Sequence, residues 1–214
     1  IVPADSPSTF PEWIRSSCLK LGEKIVLDVC GQTRTAAELD YRTDCYAAGL
    51  VSLGLAPGDH VGVMMQNSIE NIEAWFGIQK AGLVEVPVHT ASRGGLLQYL
   101  LDHGDVKALV VDESLLSRVV EILDSLPKLE HLIVNSGSVP EPVTGNVASH
   151  NLTDLFQESA PPELQLSALT TAVILHTSGT TGPPKGVVLS HGAVLHLTRH
   201  IVWLMDYVSS DRLY

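Results

Sequence analysis

Residues 177–187 combine hydroxyl groups, glycines and one lysine in a single short stretch, Thr-Ser-Gly-Thr-Thr-Gly-Pro-Pro-Lys-Gly-Val. Gly179 and Gly182 lack a Cβ, so the backbone can adopt positive φ and approach a ligand closely. Successive amide N–H groups in turns of this kind form a concavity that binds anions. Further donors come from the hydroxyl groups of Thr177, Ser178, Thr180 and Thr181. This composition predicts a phosphate-binding loop.

The exit of the loop is stiff and carries the cation. Pro183 and Pro184 fix φ, which limits the positions from which the Lys185 ammonium can reach a bound anion. The order is not that of a Walker A loop, G-x-x-x-x-G-K-[ST], because two prolines separate Gly182 from Lys185 and Gly186 follows the lysine. The ordered string of hydroxyls, glycines and lysine favours a phosphate site over a surface loop of ordinary Ser/Thr/Gly/Pro composition.

Short apolar runs border the loop and recur along the chain. The runs at 172–175 and 187–189 predict two buried strands on either side of the loop. Upstream, helical periodicity alternates with further short apolar runs, which predicts a mainly parallel sheet flanked by helices on both faces, an α/β fold. The predicted helices are 10–21, 36–53, 69–81, 95–103, 114–126, 152–158 and 192–208; the predicted strands are a hairpin at 24–29 and 33–35 and single strands at 61–65, 84–88, 108–111 and 131–134.

Glycine and proline residues between the predicted elements suggest how the chain is divided into subdomains. Residues 135–150 contain two glycines and two prolines, so this stretch predicts a boundary between an N-terminal α/β subdomain, residues 1–150, and the start of a second subdomain, 151–214, that carries the phosphate loop. Asn67 and Ser68 are both candidate caps of the helix that follows them. The chain has no initiator Met and ends abruptly at Tyr214, so it is expected to be an excerpt of a longer protein.

Composition excludes several classes of protein. The chain has 13 basic and 24 acidic residues and a net charge of -11, which argues against binding of nucleic acid or an anionic membrane through a general basic face. Cys18, Cys30 and Cys45 lack metal or disulfide spacing and are expected to be free thiols in the cytoplasm. No apolar run is long enough for a transmembrane segment. His196 and His200 have metal-ligand spacing, but no third ligand is evident and ordinary surface histidines are expected.

The loop resembles the signature phosphate loop of the adenylate-forming superfamily, which includes acyl-CoA synthetases, the adenylation domains of peptide synthetases, and luciferases. Residues 189–191, Leu-Ser-His, match what usually follows that loop. Residues 58–63 and 67–87 resemble the strand entry and the helix and strand that precede it in the family. The resemblance thus implies the N-terminal part of the large domain of an adenylate-forming enzyme.

The sequence departs from the family pattern at two places. His176 stands where the family usually has an aromatic residue, and an imidazole can still pack there. Thr170 and Thr171 replace an acidic residue that is common shortly before the loop. The family's later elements, which contact adenine and ribose, bind magnesium and carry a catalytic lysine on a C-terminal domain, would all lie beyond Tyr214. This chain alone is therefore expected to be inactive.

The resemblance implies ATP-dependent activation of a carboxylic acid to acyl-AMP with release of pyrophosphate, followed by thioester formation with CoA, as in a fatty-acid or related CoA ligase. The implied ligands are ATP, Mg²⁺, CoA and a small carboxylate. Lys185, as the catalytic residue, would hold the β- and γ-phosphates together with the loop amides and the hydroxyls of Thr180 and Thr181. Thr177 would help to coordinate Mg²⁺. A homodimer is left open.

Two other functions remain open. One is an adenylation domain that loads a carrier protein, although residues 182–186 keep the G-x-P-K-G pattern, which favours a CoA ligase. The other is a nucleotide-binding module without turnover.

Overall fold

The N-terminal segment forms a helix, a hairpin and a second helix. The computed structural model describes residues 7–137, 147–158, 162–177, 182–208 and 210–213. Helix α1 (Phe10–Leu21) and helix α2 (Ala36–Ser52) each begin with a capping box, in which a threonine side chain and a glutamate three residues later satisfy the free N–H groups. Strands β1 (Ile25–Val29) and β2 (Gln32–Thr35) pair antiparallel between the two helices. The predicted hairpin and both predicted helices are confirmed.

Among the described residues, the central sheet has seven strands in the order β7-β6-β5-β3-β4-β8-β9. All neighbouring pairs are parallel except β8 and β9, which are antiparallel and form a hairpin. The strands are β3 (His60–Met64), β4 (Val84–Pro87), β5 (Val106–Asp112), β6 (His131–Asn135), β7 (Ala148–Asn151), β8 (Thr171–Thr177) and β9 (Lys185–Ser190). The predicted mainly parallel sheet is confirmed.

Helices cover both faces of this sheet, because successive strand residues point to opposite sides. On β5, Leu109 and Val111 contact the side of helix α4 (Gly94–His103) and the short helix α5 (Leu116–Val120), whereas Ala108 and Val110 face the side of α2 and helix α3 (Ile69–Lys80). Helix α6 (His191–Leu204) follows β9 and packs near α1. The central parallel strands β3, β5 and β6 therefore carry buried residues on both sides and read as apolar runs.

Five details differ from the sequence-based expectation or decide between alternatives. The helix predicted over 152–158 is a 3-10 turn over Leu152–Leu155. Ser68, not Asn67, caps α3 by accepting from the amide of Asn71. The helix predicted over 114–126 is broken into α5 and two 3-10 turns, in a segment whose β-branched residues lower helix propensity. Strand β7 was not predicted because its sequence, Ala-Ser-His-Asn, has no apolar run. Strand β9, predicted to be buried, is an edge strand on which Val188 is 61 % exposed.

The predicted boundary near residue 150 coincides with β7, which lies in the same sheet as β8 and β9. The division into two subdomains stays a prediction. No helix among the described residues is long and apolar enough to cross a membrane.

Candidate phosphate-binding loop

The predicted phosphate loop lies between two adjacent antiparallel strands, β8 and β9, at the edge of the sheet. Thr177, the last residue of β8, lies opposite Lys185, the first residue of β9. The Thr177 hydroxyl donates a hydrogen bond to the Lys185 carbonyl oxygen at 3.4 Å. Both side chains are exposed, so a lysine ammonium and a threonine hydroxyl flank the base of the loop on the solvent side.

Of the residues predicted to bind phosphate, Thr177, Gly182 and Lys185 are described. Four others, Ser178, Gly179, Thr180 and Thr181, lie outside the described residues. Their predicted roles stay predictions. The described part of the site is therefore the base of the loop and its exit.

Gly186 fits its position because a side chain there would meet the neighbouring strand. A Cβ on Gly186 would lie 3.0 Å from Ile174 Cγ2 and 3.7 Å from His176 Nε2. Contacts near 3.0 Å force the neighbour to move. A glycine after Lys185 thus lets β9 lie close against β8 at the base of the loop, where Gly186 pairs with His176.

His176 replaces the aromatic residue of the family pattern, and its imidazole packs against another ring. Its imidazole lies edge-to-face with that of His103 on α4, with 5.7 Å between ring centroids. Burial, and secondarily the nearby His103, lower the pKa of His176 below its usual value. Within the described residues, neither ring nitrogen of His176 has a hydrogen-bond partner.

Sequence reasoning missed one contact to the loop. The Tyr99 hydroxyl on α4 donates a hydrogen bond of 2.9 Å to the carbonyl oxygen of Pro184, the residue before Lys185. An aromatic residue within an amphipathic helix is normally a core residue, so no local signal distinguishes it from one.

A separate cavity lies on the opposite side of β8. It measures about 340 Å³ and lies between β4, β8, β9 and helices α1, α3 and α6. Two buried polar residues line it together with apolar side chains. Gln79 is 1 % exposed and its Oε1 has no partner among the described residues, while burial raises the pKa of Glu85 to about 8.

Metal ligands are not concentrated in the described part of the chain. Across those residues, no three His, Cys, Asp or Glu side chains come together in a group that could hold a metal ion. Thr177 offers one hard oxygen donor, which fits Mg²⁺ only where phosphate oxygens supply other ligands. Cys18, Cys30 and Cys45 are free thiols.

The fold and the loop define the class of this chain, an α/β protein with a glycine-rich hairpin loop at the edge of its sheet. Residues 14–213 match the family of AMP-binding enzymes, and the chain belongs to that family. The resemblance seen in the loop sequence is thereby confirmed.

Individual relatives have related activities. A medium/long-chain-fatty-acid and 3-oxocholest-4-en-26-oate CoA ligase of Mycobacterium marinum is 34 % identical over 168 residues, which cover 76 % of this chain and 30 % of the ligase. Surfactin synthase subunit 2 of Bacillus subtilis is 27 % identical over 92 % of this chain and 5 % of its own length. The chain thus spans less than a third of each of these two relatives.

Solved structures confirm the fold. A long-chain-fatty-acid CoA ligase (FadD1) from Archaeoglobus fulgidus superposes with a TM-score of 0.82 at 21 % identity, over 96 % of this chain and 41 % of that one. At this identity the likeness concerns the fold alone.

Proposed function

We propose that the whole protein is an ATP-dependent acyl-CoA ligase that acts on a fatty acid or a related carboxylic acid. The observation that carries the proposal is the pairing of Thr177 with Lys185 at the base of the loop, in a chain of the AMP-binding family. The fatty-acid CoA ligase of M. marinum, 34 % identical, supports the class of substrate.

The chemistry requires two displacements. A carboxylate oxygen attacks the α-phosphorus of ATP and forms acyl-AMP while pyrophosphate leaves. The sulfur of CoA then attacks the acyl carbon, AMP leaves, and the thiol proton is lost to solvent or a base. In such reactions the protein chiefly positions the groups and stabilises the developing charge.

The loop acts in the first displacement. The Lys185 ammonium and the loop amides hold the β- and γ-phosphates as negative charge accumulates on the leaving pyrophosphate. Hydroxyls of Thr180 and Thr181 add donors. The Thr177 hydroxyl would supply one oxygen ligand to the Mg²⁺ that accompanies ATP. We place the protein in the cytoplasm, where the three thiols of this chain stay reduced, and leave a homodimer as a prediction.

The experiment that tests this proposal is product analysis of the whole protein with ATP, Mg²⁺, CoA and a panel of carboxylic acids. Acyl-CoA, AMP and pyrophosphate should form in equal amounts with fatty acids of one chain-length range. Formation of acyl-AMP that is never transferred to CoA would contradict the second step.

The second candidate is an adenylation domain that loads a carrier protein. It is favoured by the likeness to surfactin synthase, which extends over 203 residues of this chain. The same product analysis separates the two, because a carrier-loading domain would transfer the acyl group to a carrier-protein thiol and not to CoA. A module without turnover would bind ATP and give neither product.

A further inference from the structure

In the described part of the predicted phosphate loop, helix α4 contacts the loop exit through a hydrogen bond from Tyr99. The Tyr99 hydroxyl reaches the carbonyl oxygen of Pro184 at 2.9 Å, across 85 positions of sequence. That carbonyl belongs to the peptide group that links Pro184 to Lys185, and a peptide group is planar. Holding the carbonyl therefore also fixes the direction in which the Lys185 backbone enters β9.

A column of three rings continues from Tyr99 to the other flank of the loop. Tyr99 stacks on His103, one helical turn later, with ring centroids 5.0 Å apart and an interplanar angle of 25°. His103 in turn lies edge-to-face with His176, whose centroid is 5.7 Å away. Since His176 directly precedes Thr177, the column touches the entry of the loop as well as its exit.

Two glycines lie next to the histidine rings of the column. A Cβ on Gly186 would lie 3.8 Å from His103 Cε1 and 3.7 Å from His176 Nε2. A Cβ on Gly104 would lie 3.5 Å from His176 Cε1 and 2.8 Å from the Leu100 carbonyl oxygen. A side chain at either glycine would therefore contact the His176 ring, and one at Gly186 would contact both imidazoles.

We infer that Tyr99 is a positioning residue that holds Lys185 in place through the carbonyl of Pro184, with His103 and His176 as the ring column behind it. Its consequence for catalysis rests on the proposed function, in which Lys185 holds the ATP phosphates. Pro184 lies just outside the pairing of β8 with β9, which ends at Thr177 and Lys185, so its carbonyl oxygen accepts from the Tyr99 side chain and not from the neighbouring strand.

The test is Tyr99→Phe, which keeps the ring and its stacking and removes only the hydroxyl. Loss of one neutral hydrogen bond should raise the equilibrium constant for local opening of β9 by about fivefold. Amide hydrogen exchange in the Lys185–Ser190 peptide should become faster by the same factor. Steady-state kinetics should show a fall of about 3- to 30-fold in kcat/KM for ATP with an unchanged KM for the acid. Tyr41→Phe, at a half-exposed tyrosine on α2, is the matched control and should change neither.

Unchanged exchange in the Lys185–Ser190 peptide would overturn the inference, whatever the activity. Faster exchange with wild-type kinetics for ATP would also overturn it, because the loop would then be held without any effect on Lys185. A wild-type protein that shows no carboxylate activation would refute the proposed function instead, and the hydrogen-exchange comparison would still decide the role of Tyr99.

Discussion

Replacing Glu85 with glutamine should stabilise the protein at neutral pH. Glu85 lies on β4 at the wall of the 340 Å³ cavity, where it is 8 % exposed and burial raises its pKa to about 8. A carboxyl group has an ordinary pKa of 4.5. Between pH 4.5 and about pH 8, Glu85 is therefore protonated in the folded protein and ionised in the unfolded chain.

The size of the effect follows from this difference. A group whose pKa is higher in the folded than in the unfolded state destabilises the fold as pH rises. The stability is full below the unfolded-state pKa and is lost progressively until pH passes the folded-state pKa. Each pH unit in the window costs about 1.4 kcal/mol. Relative to a neutral side chain of the same shape, Glu85 should therefore lower the free energy of unfolding by about 3 kcal/mol at pH 7 and by about 5 kcal/mol above pH 8.

The assay is urea unfolding of the wild type and of Glu85→Gln at pH 5, 7 and 8.5. The gain in free energy of unfolding should be below about 1 kcal/mol at pH 5 and should grow to the values above. Glu121→Gln, at an exposed surface position, is the matched control and should show no such trend. A stability difference for Glu85→Gln that does not change with pH would refute the reasoning.

Three further predictions concern single side chains. Lys185→Ala in the whole protein should lower the rate of adenylation by about 10- to 1,000-fold, since it removes one charge that stabilises the transition state; an unchanged rate would remove Lys185 from the mechanism. Gly49→Ala should lower the midpoint of thermal unfolding, because the new Cβ would lie 2.0 Å from a backbone carbonyl oxygen. The control Gly95→Ala, whose Cβ would have no atom within 4 Å, should leave the midpoint unchanged or raise it. Glu73→Ala should cost about 3 kcal/mol in urea unfolding, since Glu73 is fully buried and paired with two arginines, one of them Arg42; a loss below about 1 kcal/mol would show that the pairs contribute little.

Much of the fold could be predicted because the relevant signals are local. Parallel strands such as β3 and β5 are buried on both faces and appear as apolar runs. Ser68, one of the two candidate caps, is a polar residue that precedes helical periodicity. The loop was evident because its glycines, hydroxyls and lysine are contiguous in sequence.

Other features were beyond sequence reasoning because they depend on distant contacts. Strand β7 forms only by pairing with β6, and its residues carry no apolar pattern. The exposure of β9 depends on its place at the edge of the sheet. The hydrogen bond from Tyr99 to Pro184 joins residues far apart in the chain, and nothing around Tyr99 marks it.

The most direct measurement is carboxylate-dependent exchange of labelled pyrophosphate into ATP by the whole protein, without CoA, across short-, medium- and long-chain fatty acids and aromatic acids. The 214-residue chain serves as the control, together with the whole protein carrying Lys185→Ala. The account predicts exchange with one range of fatty acids, much weaker exchange with the variant and none with the chain alone. Measurable ATP binding without exchange for any acid would contradict it.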